Sequence, residues 1–272
     1  MNPQKSFTLN VRGRLLSLAH PCVMGILNAT PDSFYAGSRV SDLDESALVR
    51  RVRQMVDDGA GIVDIGACST RPGYEAVSSE EEIRRLSPVL KTVRREFPEL
   101  VVSVDTFQAD VARFAVEECG ADIVNDISGG RLDRRMFRTV ADLGVPYVLT
   151  HYEGSPKVHD VLLSLSRDVA ELRSRGVNDV IVDPGFGFGK DLDENYAVMR
   201  DIALFHELGC PLLVGVSRKS MVSRVLDCDA SDALNGSTAL HAFALSHGVQ
   251  ILRAHDVKAA ADCVKIMEKL RQ

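Results

Sequence analysis

The chain has no C-x-x-C pair: its six cysteines, Cys22, Cys68, Cys119, Cys210, Cys228 and Cys263, are scattered singly. That spacing excludes a structural zinc site and a small disulfide scaffold, and it reads as indifferent thiols in a reducing compartment. The seven histidines contain no H-E-x-x-H arrangement, so a permanent protein-caged metal is not expected. No apolar run approaches the roughly 18 residues of a membrane span. The opening residues, MNPQKSFTLN, lack the apolar segment of a signal peptide, and the expected location is the cytoplasm. Excess positive charge is missing as well. A formal net charge of −6 argues against a nucleic-acid footprint, which needs a basic stripe.

What the chain does have is alternation. Val- and Ile-rich runs read as strands at Val23–Asn28, Ile62–Gly66, Val101–Thr106, Asp122–Asp126, Tyr147–His151, Val180–Asp183, Leu212–Val216 and Gln250–Ala254. Between them lie amphipathic stretches such as DESALVRRVRQMVDDG and SSEEEIRRLSPVLKTVRREF. A serine cap near Ser78 or Ser79, followed by glutamates, starts one of these helices. Gly59, Gly120, Gly144, Gly176 and Gly209 fall where helices should stop. Eight strand–helix units in 272 residues, with no linker or composition break, predict a single (β/α)₈ TIM barrel over residues 1–272. A doubly wound sheet with an appended domain needs a boundary that the sequence does not show. Residues 1–22 contain two short strand-like pieces around Arg12–Gly13, which predict a β-hairpin closing the barrel bottom.

In a barrel the chemistry sits at the C-terminal strand ends. Here those ends carry Asn28, Asp105, Asn125, Asp126, His151, Asp183, the Ser217–Ser220 segment, Arg253 and His255. Asp126, before ISGG, suits a capping role, and Arg253 suits an ion pair with one of the aspartates. So many polar groups together exceed what capping needs, and unpaired they are costly to bury. A polar ligand is therefore expected. VGVSRKSMV, which runs a strand straight into Arg218 and Lys219, points to a pocket for an anion or an electron-rich ring. DPGFGFGKDLDEN is neither a P-loop, since Asp191 follows Gly-Lys, nor a dinucleotide fingerprint. It reads as a tight loop that brings backbone and Phe188 up to a flat ligand.

MGILNATPDSF, STRPG, VSVDTF, VNDISGG, DPGFGFGK, GVSRKS and LRAHDV, in that order, resemble the dihydropteroate synthases, a family of pterin-binding TIM barrels. The resemblance implies a cytoplasmic homodimer that joins 6-hydroxymethyl-7,8-dihydropterin pyrophosphate to 4-aminobenzoate, and a target for sulfonamides. It implies a pterin pocket of Asp105, Asn125, Ile127, Asp183, Phe188, Lys219 and Arg253. It places pyrophosphate on Asn28, Arg71, Arg253 and His255, with Asn28 helping to hold Mg²⁺. Aminobenzoate falls to Phe34, Thr70, Arg71, Pro72 and Ser220, and the catalytic groups are Asp105, Lys219, Arg253 and His255. No nucleic-acid or membrane partner is implied.

The chain departs from the family pattern in three places. Ala36 stands where many members have an acidic residue, and Ala67 and Cys68 stand where glycine and glutamate are common. Thr150–His151 replaces the family's methionine–histidine, whose methionine packs near the pterin, and the following YEGSPKVHD is short. These departures motivate one alternative, a non-catalytic pterin-binding barrel. The other, a pterin-dependent corrinoid methyltransferase, would lack SRKS and STRPG.

Overall fold

The structure is a computed structural model that describes residues 6–29, 44–67 and 77–271. Ten strands are described. The first two, β1 (Thr8–Val11) and β2 (Arg14–Ser17), pair antiparallel about the Arg12–Gly13 turn, where both residues have positive φ. The other eight form one parallel sheet. They are β3 (Cys22–Asn28), β4 (Ala60–Gly66), β5 (Val101–Asp105), β6 (Ile123–Asp126), β7 (Tyr147–Thr150), β8 (Val180–Asp183), β9 (Leu213–Val214) and β10 (Ile251–Ala254). The strand order is β8-β7-β6-β5-β4-β3-β10-β9, and a parallel bridge from Val182 to Leu212 joins the two outer strands. The sheet is thereby closed into the expected (β/α)₈ barrel.

Helices return the chain between strands: α1 (Glu45–Asp57), α2 (Ser79–Glu96), α3 (Ala109–Glu117), α4 (Met136–Leu143), α5 (Val158–Ser174), α6 (Leu192–Arg200), α7 (Ser220–Leu226), α8 (Leu234–Ser246) and α9 (Val257–Lys269). Most of the long helices turn a largely apolar stripe to the sheet, while α8 buries Ser237 and His241 beside Ala244 and Leu245. In α1, Leu48, Val52 and Met55 are buried at the spacing of one helix face. Ser78 caps α2 by accepting from Glu81 N–H, with three glutamates in the first turn. Asp191 and Glu194 close a capping box on α6. The five glycines predicted to stop helices all have positive φ, and Gly144 and Gly209 are left-handed C-caps.

The floor follows from strand alternation. Met24, Ile62, Val101, Ile123, Val148, Ile181, Leu213 and Ile251, one from each barrel strand, form a cluster with Leu9, Val11 and Leu18 of the hairpin segment. The hairpin therefore packs across the N-terminal strand ends. Arg12 ties it there, pairing with the buried Asp122 at 2.6 Å, and Asp122 is held in turn by Arg94 at 2.7 Å. Two residues farther along, most of the inward-facing positions become polar, Ile26 of β3 and Gly215 after β9 being the exceptions.

Candidate active site

Register carries the apolar floor into a polar layer. Asp64 follows Ile62 by two and pairs with Ser103, Asn125 follows Ile123 by two, and Asp183 follows Ile181 by two and pairs with Thr150. Arg253 follows Ile251 by two, so all these side chains face the barrel interior. Gly215 holds the corresponding place after Leu213. A Cβ there would lie 3.7 Å from Arg253 Cβ and 4.0 Å from Asp183 Oδ2, so the glycine leaves room between a cation and an anion.

Arg253 organises one half of the layer. Its Nε donates to Asp64 Oδ2 at 2.7 Å and its Nη2 to Asp105 Oδ2 at 2.6 Å. Asn125 Nδ2 donates to the same Asp64 oxygen at 2.9 Å. Burial pushes the Asp105 carboxyl up to about 7; Arg253 opposes this, and the charges of Asp64, Glu82 and Asp126 add to it. Burial works to lower the Arg253 pKa, but Asp64, Asp105 and Asp183 outweigh it and hold the guanidinium charged. The expected ion pair of Arg253 is thus a double one.

Lys219 and the glycine-rich loop build the other half. Lys219 donates to the Phe186 carbonyl and holds Nζ 4.8 Å from the centre of the Phe188 ring. Burial lowers its pKa to about 8, with Asp183 pulling it back up. Asp183 Oδ1 accepts from Gly185 N–H at 2.8 Å, and burial raises this carboxyl, opposed by Lys219. Gly185 has φ of 75°, and a Cβ there would lie 1.8 Å from the His151 carbonyl oxygen, so only glycine fits. Lys190 clamps the loop from behind, donating to the carbonyls of Gly185 at 2.9 Å and Phe188 at 3.2 Å, with Nζ 3.1 Å from His151 Nδ1.

The remaining predicted residues divide clearly. Asn28 is exposed at the C-terminal end of β3, level with Gly66. His255 is exposed at the mouth, and its backbone N–H donates to Ser217 Oγ at 3.2 Å. Packing on its inner side, together with Arg253, pushes the His255 imidazole pKa down. Ile127 is buried just beyond Asn125, and Ser220 is the exposed first residue of α7. Phe34, Thr70, Arg71 and Pro72 lie outside the described residues, as do Ala36 and Cys68.

Two expectations change in detail. Arg218 does not share the pocket with Lys219. Its φ of 56° turns the chain, and its guanidinium takes both carboxylate oxygens of Asp256 at 2.8 Å and the Ser231 carbonyl at 2.9 Å. It staples the loop after β9 to the start of α9. The seventh barrel strand is also shorter than Leu212–Val216, because its regular pairing spans only Leu213–Val214. Asp126, by contrast, has the structural role its sequence context indicates: it accepts from Ser128 N–H and Oγ at 2.7 Å and from Gly130 N–H and Tyr147 Oη at 2.8 Å.

The sequence reading missed Asp64, Lys190 and Gly215. Asp64 lies inside the apolar run GIVDIG, two residues short of its end, where strand ends alone draw no notice. The available signal was a charge at an inward position of a strand otherwise entirely apolar.

These features define a parallel (β/α)₈ barrel whose C-terminal mouth gathers carboxylates and cations beside an aromatic ring. The chain belongs to the pterin binding enzyme family, which it matches over residues 24–255. It is 38% identical over 273 residues to the dihydropteroate synthase of Escherichia coli (strain K12), with 96% of this chain and 95% of that protein covered. The solved structure of Xanthomonas albilineans dihydropteroate synthase with 4-aminobenzoic acid superposes with a TM-score of 0.89 at 36% identity, covering 98% of this chain and 99% of that one. That of the Yersinia pestis dihydropteroate synthase in complex with a sulfonamide drug gives 0.88 at 36% identity, covering 97% and 99%.

Proposed function

We propose that this chain condenses 6-hydroxymethyl-7,8-dihydropterin pyrophosphate with 4-aminobenzoate, giving 7,8-dihydropteroate and pyrophosphate in folate biosynthesis. The observation that carries the reading is the facing pair of half-sites, Arg253 with Asp105 on one side and Lys219 with Asp183 on the other. A pterin ring presents both donors and acceptors along its edge, and this pocket supplies both signs within one layer.

In the reaction the bond from the pterin methylene to the pyrophosphate oxygen breaks, and its electron pair leaves with pyrophosphate. The methylene then bonds to the aminobenzoate nitrogen, which gives up a proton. Positive charge spreads into the dihydropterin as the leaving group departs. The carboxylate of Asp105, at the pocket wall, places negative charge beside the ring and stabilises that positive charge. Asn125, Ile127, Asp183, Phe188 and Lys219 seat the ring, with the Lys219 ammonium meeting its oxygen or nitrogen edge. Arg253 and His255 receive the leaving pyrophosphate, and Arg71 completes that site. Phe34, Thr70, Arg71, Pro72 and Ser220 take the aminobenzoate.

The implied Mg²⁺ suits the residues present. Among the described residues no group of three or more His, Cys, Asp or Glu side chains is placed to hold a metal. A single exposed carboxamide oxygen, that of Asn28, fits an ion that keeps most of its water and travels with phosphate oxygens. When bound, Mg²⁺ would neutralise charge on the pyrophosphate.

We further propose a homodimer in the cytoplasm. Exposed Val225, Leu226, Phe243 and Ile266 on α7, α8 and α9 offer apolar surface for a second copy. Among the described residues no helix is long and apolar enough to cross a membrane. Cys22, Cys119, Cys210, Cys228 and Cys263 are free thiols, which suits a reducing compartment.

The test mixes purified protein with dihydropterin pyrophosphate, 4-aminobenzoate and Mg²⁺, and follows dihydropteroate by chromatography. Product formation supports the assignment. Pterin binding without product would make the chain a non-catalytic barrel instead.

A further inference from the structure

We propose that Asp64 is a positioning residue of this reaction, holding Arg253 and the Asn125 carboxamide in the orientations the pterin pyrophosphate requires. The inference rests on the reading of the pocket given above, and it concerns a residue that touches no substrate itself.

Asp64 has no exposed surface, and its Oδ2 receives both Arg253 Nε and Asn125 Nδ2. Its Oδ1 is buried with no hydrogen-bond partner in the protein. A carboxylate kept out of water with one oxygen unpartnered costs folding stability, so a structural staple is a poor account of it.

The contacts have directional consequences. A carboxylate accepts and never donates, so the atom of Asn125 facing Asp64 is the amide nitrogen. The Asn125 oxygen is thereby left as the acceptor for an N–H on the ring. Asp64 grips Arg253 at Nε, the inner edge of the fork, and Asp105 grips it at Nη2. The two carboxylates are not equivalent: the Asp105 side chain keeps 12% of its surface exposed and that of Asp64 keeps none. When the ring arrives, Asp105 is the one that turns to it. Asp64 then remains as the anchor that stops Arg253 from following Asp105, and Nη2 is released toward the pyrophosphate.

Asp105 is faced by Arg253 from β10, Lys219 from the loop after β9, Asp64 from β4, Glu82 from α2 and Asp126 from β6; the three carboxylates raise its pKa and the arginine lowers it. Removing the Asp64 charge deletes one raising contribution, so the Asp105 pKa is expected to fall. A residue serving only to fill space would leave that titration where it is.

The experiment compares wild type, Asp64→Asn and Asp64→Ser for kcat, for KM toward each substrate and for the pH profile of kcat/KM. Expected for Asp64→Asn is a loss of at least about tenfold in kcat/KM for the pterin substrate, with the acid limb moved to lower pH and the aminobenzoate KM little changed. Wild-type kcat/KM with an unmoved limb overturns the inference. An inert wild type would instead overturn the functional reading. Should neither variant fold, the wild type decides by NMR of its arginine Nε–H groups during titration with dihydropterin pyrophosphate. Arg253 Nε–H is expected to stay protected from exchange in the complex, and loss of its protection overturns the anchor.

Discussion

Lys219 holds its ammonium 4.8 Å from the centre of the Phe188 ring while donating to the Phe186 carbonyl, two residues earlier in the same glycine-rich loop. One side chain after β9 thereby fixes the shape of the loop after β8 and presents a cation at the pocket wall. The negative charge of Asp183 draws the lysine pKa up against burial. Strand ends distant in sequence meet here because the barrel returns β8 and β9 side by side.

Replacing Lys219 tests whether that cation is functional or structural. Lys219→Met keeps the apolar stem and removes the charge; turnover should be abolished with the barrel still folded. The folded-state pKa is depressed from 10.5 to about 8, so between those values the unfolded chain binds more protons than the native one. Wild-type stability should therefore rise relative to Lys219→Met as pH increases from about 8 to 10.5. Denaturant melts across that window check the slope; a flat difference would mean that burial does not depress the lysine, and a variant that fails to fold would make the lysine structural.

Asp105→Asn keeps the shape of the carboxylate and deletes its charge. It should lower kcat at least about tenfold, roughly 1.4 kcal/mol of transition-state stabilisation. Because burial raises the Asp105 carboxyl to about 7, kcat/KM should fall as pH drops below that value. The stability consequence has the opposite direction to the usual aspartate. Its raised pKa favours the folded state at low pH, and that contribution is lost as pH rises from about 4 through 7. Asp105→Asn should flatten this loss, and an unchanged kcat with only a raised KM would reduce the aspartate to a ground-state contact.

Much of this was legible in the sequence. The eight strands could be read because Val and Ile runs alternate with helical stripes, and the hairpin because Leu9, Val11 and Leu18 are apolar around an Arg-Gly turn. Asp105, Asn125, Asp183, Lys219 and Arg253 fell at strand ends and do converge. Arg218 and Lys219 could not be told apart, since adjacent cations differ only in where the backbone turns, and φ at Arg218 decides that. Asp64 was invisible because it lies below the mouth, where its meaning depends on Arg253 reaching across from a strand 189 residues away in sequence.

Thr150 is a third point of attack. It is buried, pairs in register with Asp183 and faces the interior, yet its hydroxyl has no partner in the protein. An unsatisfied buried hydroxyl costs about 1–3 kcal/mol, and valine has nearly the same shape. Thr150→Val should stabilise the ligand-free protein by about 1 kcal/mol, or about 2–4 °C in Tm at this chain size. It should also weaken pterin binding if the hydroxyl meets the ring. Calorimetry of pterin binding beside thermal melts separates the two effects, and a destabilised variant would show that the hydroxyl is satisfied after all.

The glycine-rich loop gives the last prediction. Gly185 combines φ of 75° with a Cβ position 1.8 Å from the His151 carbonyl oxygen, a distance no side chain tolerates. In Gly185→Ala the backbone has to move, because the obstruction is the main chain just after β7 and not a flexible side chain. The movement breaks the Gly185 N–H bond to Asp183 and pulls the carbonyl of Gly185 off Lys190. Phe188 and the Phe186 carbonyl then shift away from Lys219, so the ring pocket loses its wall while the barrel below is untouched. Overpacking of this kind costs about 1–3 kcal/mol, well within what a domain of this size survives. We expect a folded protein with a Tm lower by several degrees and pterin affinity reduced at least about tenfold. Titration calorimetry with a pterin ligand, paired with circular dichroism of the same sample, measures both. Wild-type affinity in the alanine variant would mean that the loop has room the geometry denies, and that its glycine does not shape the site.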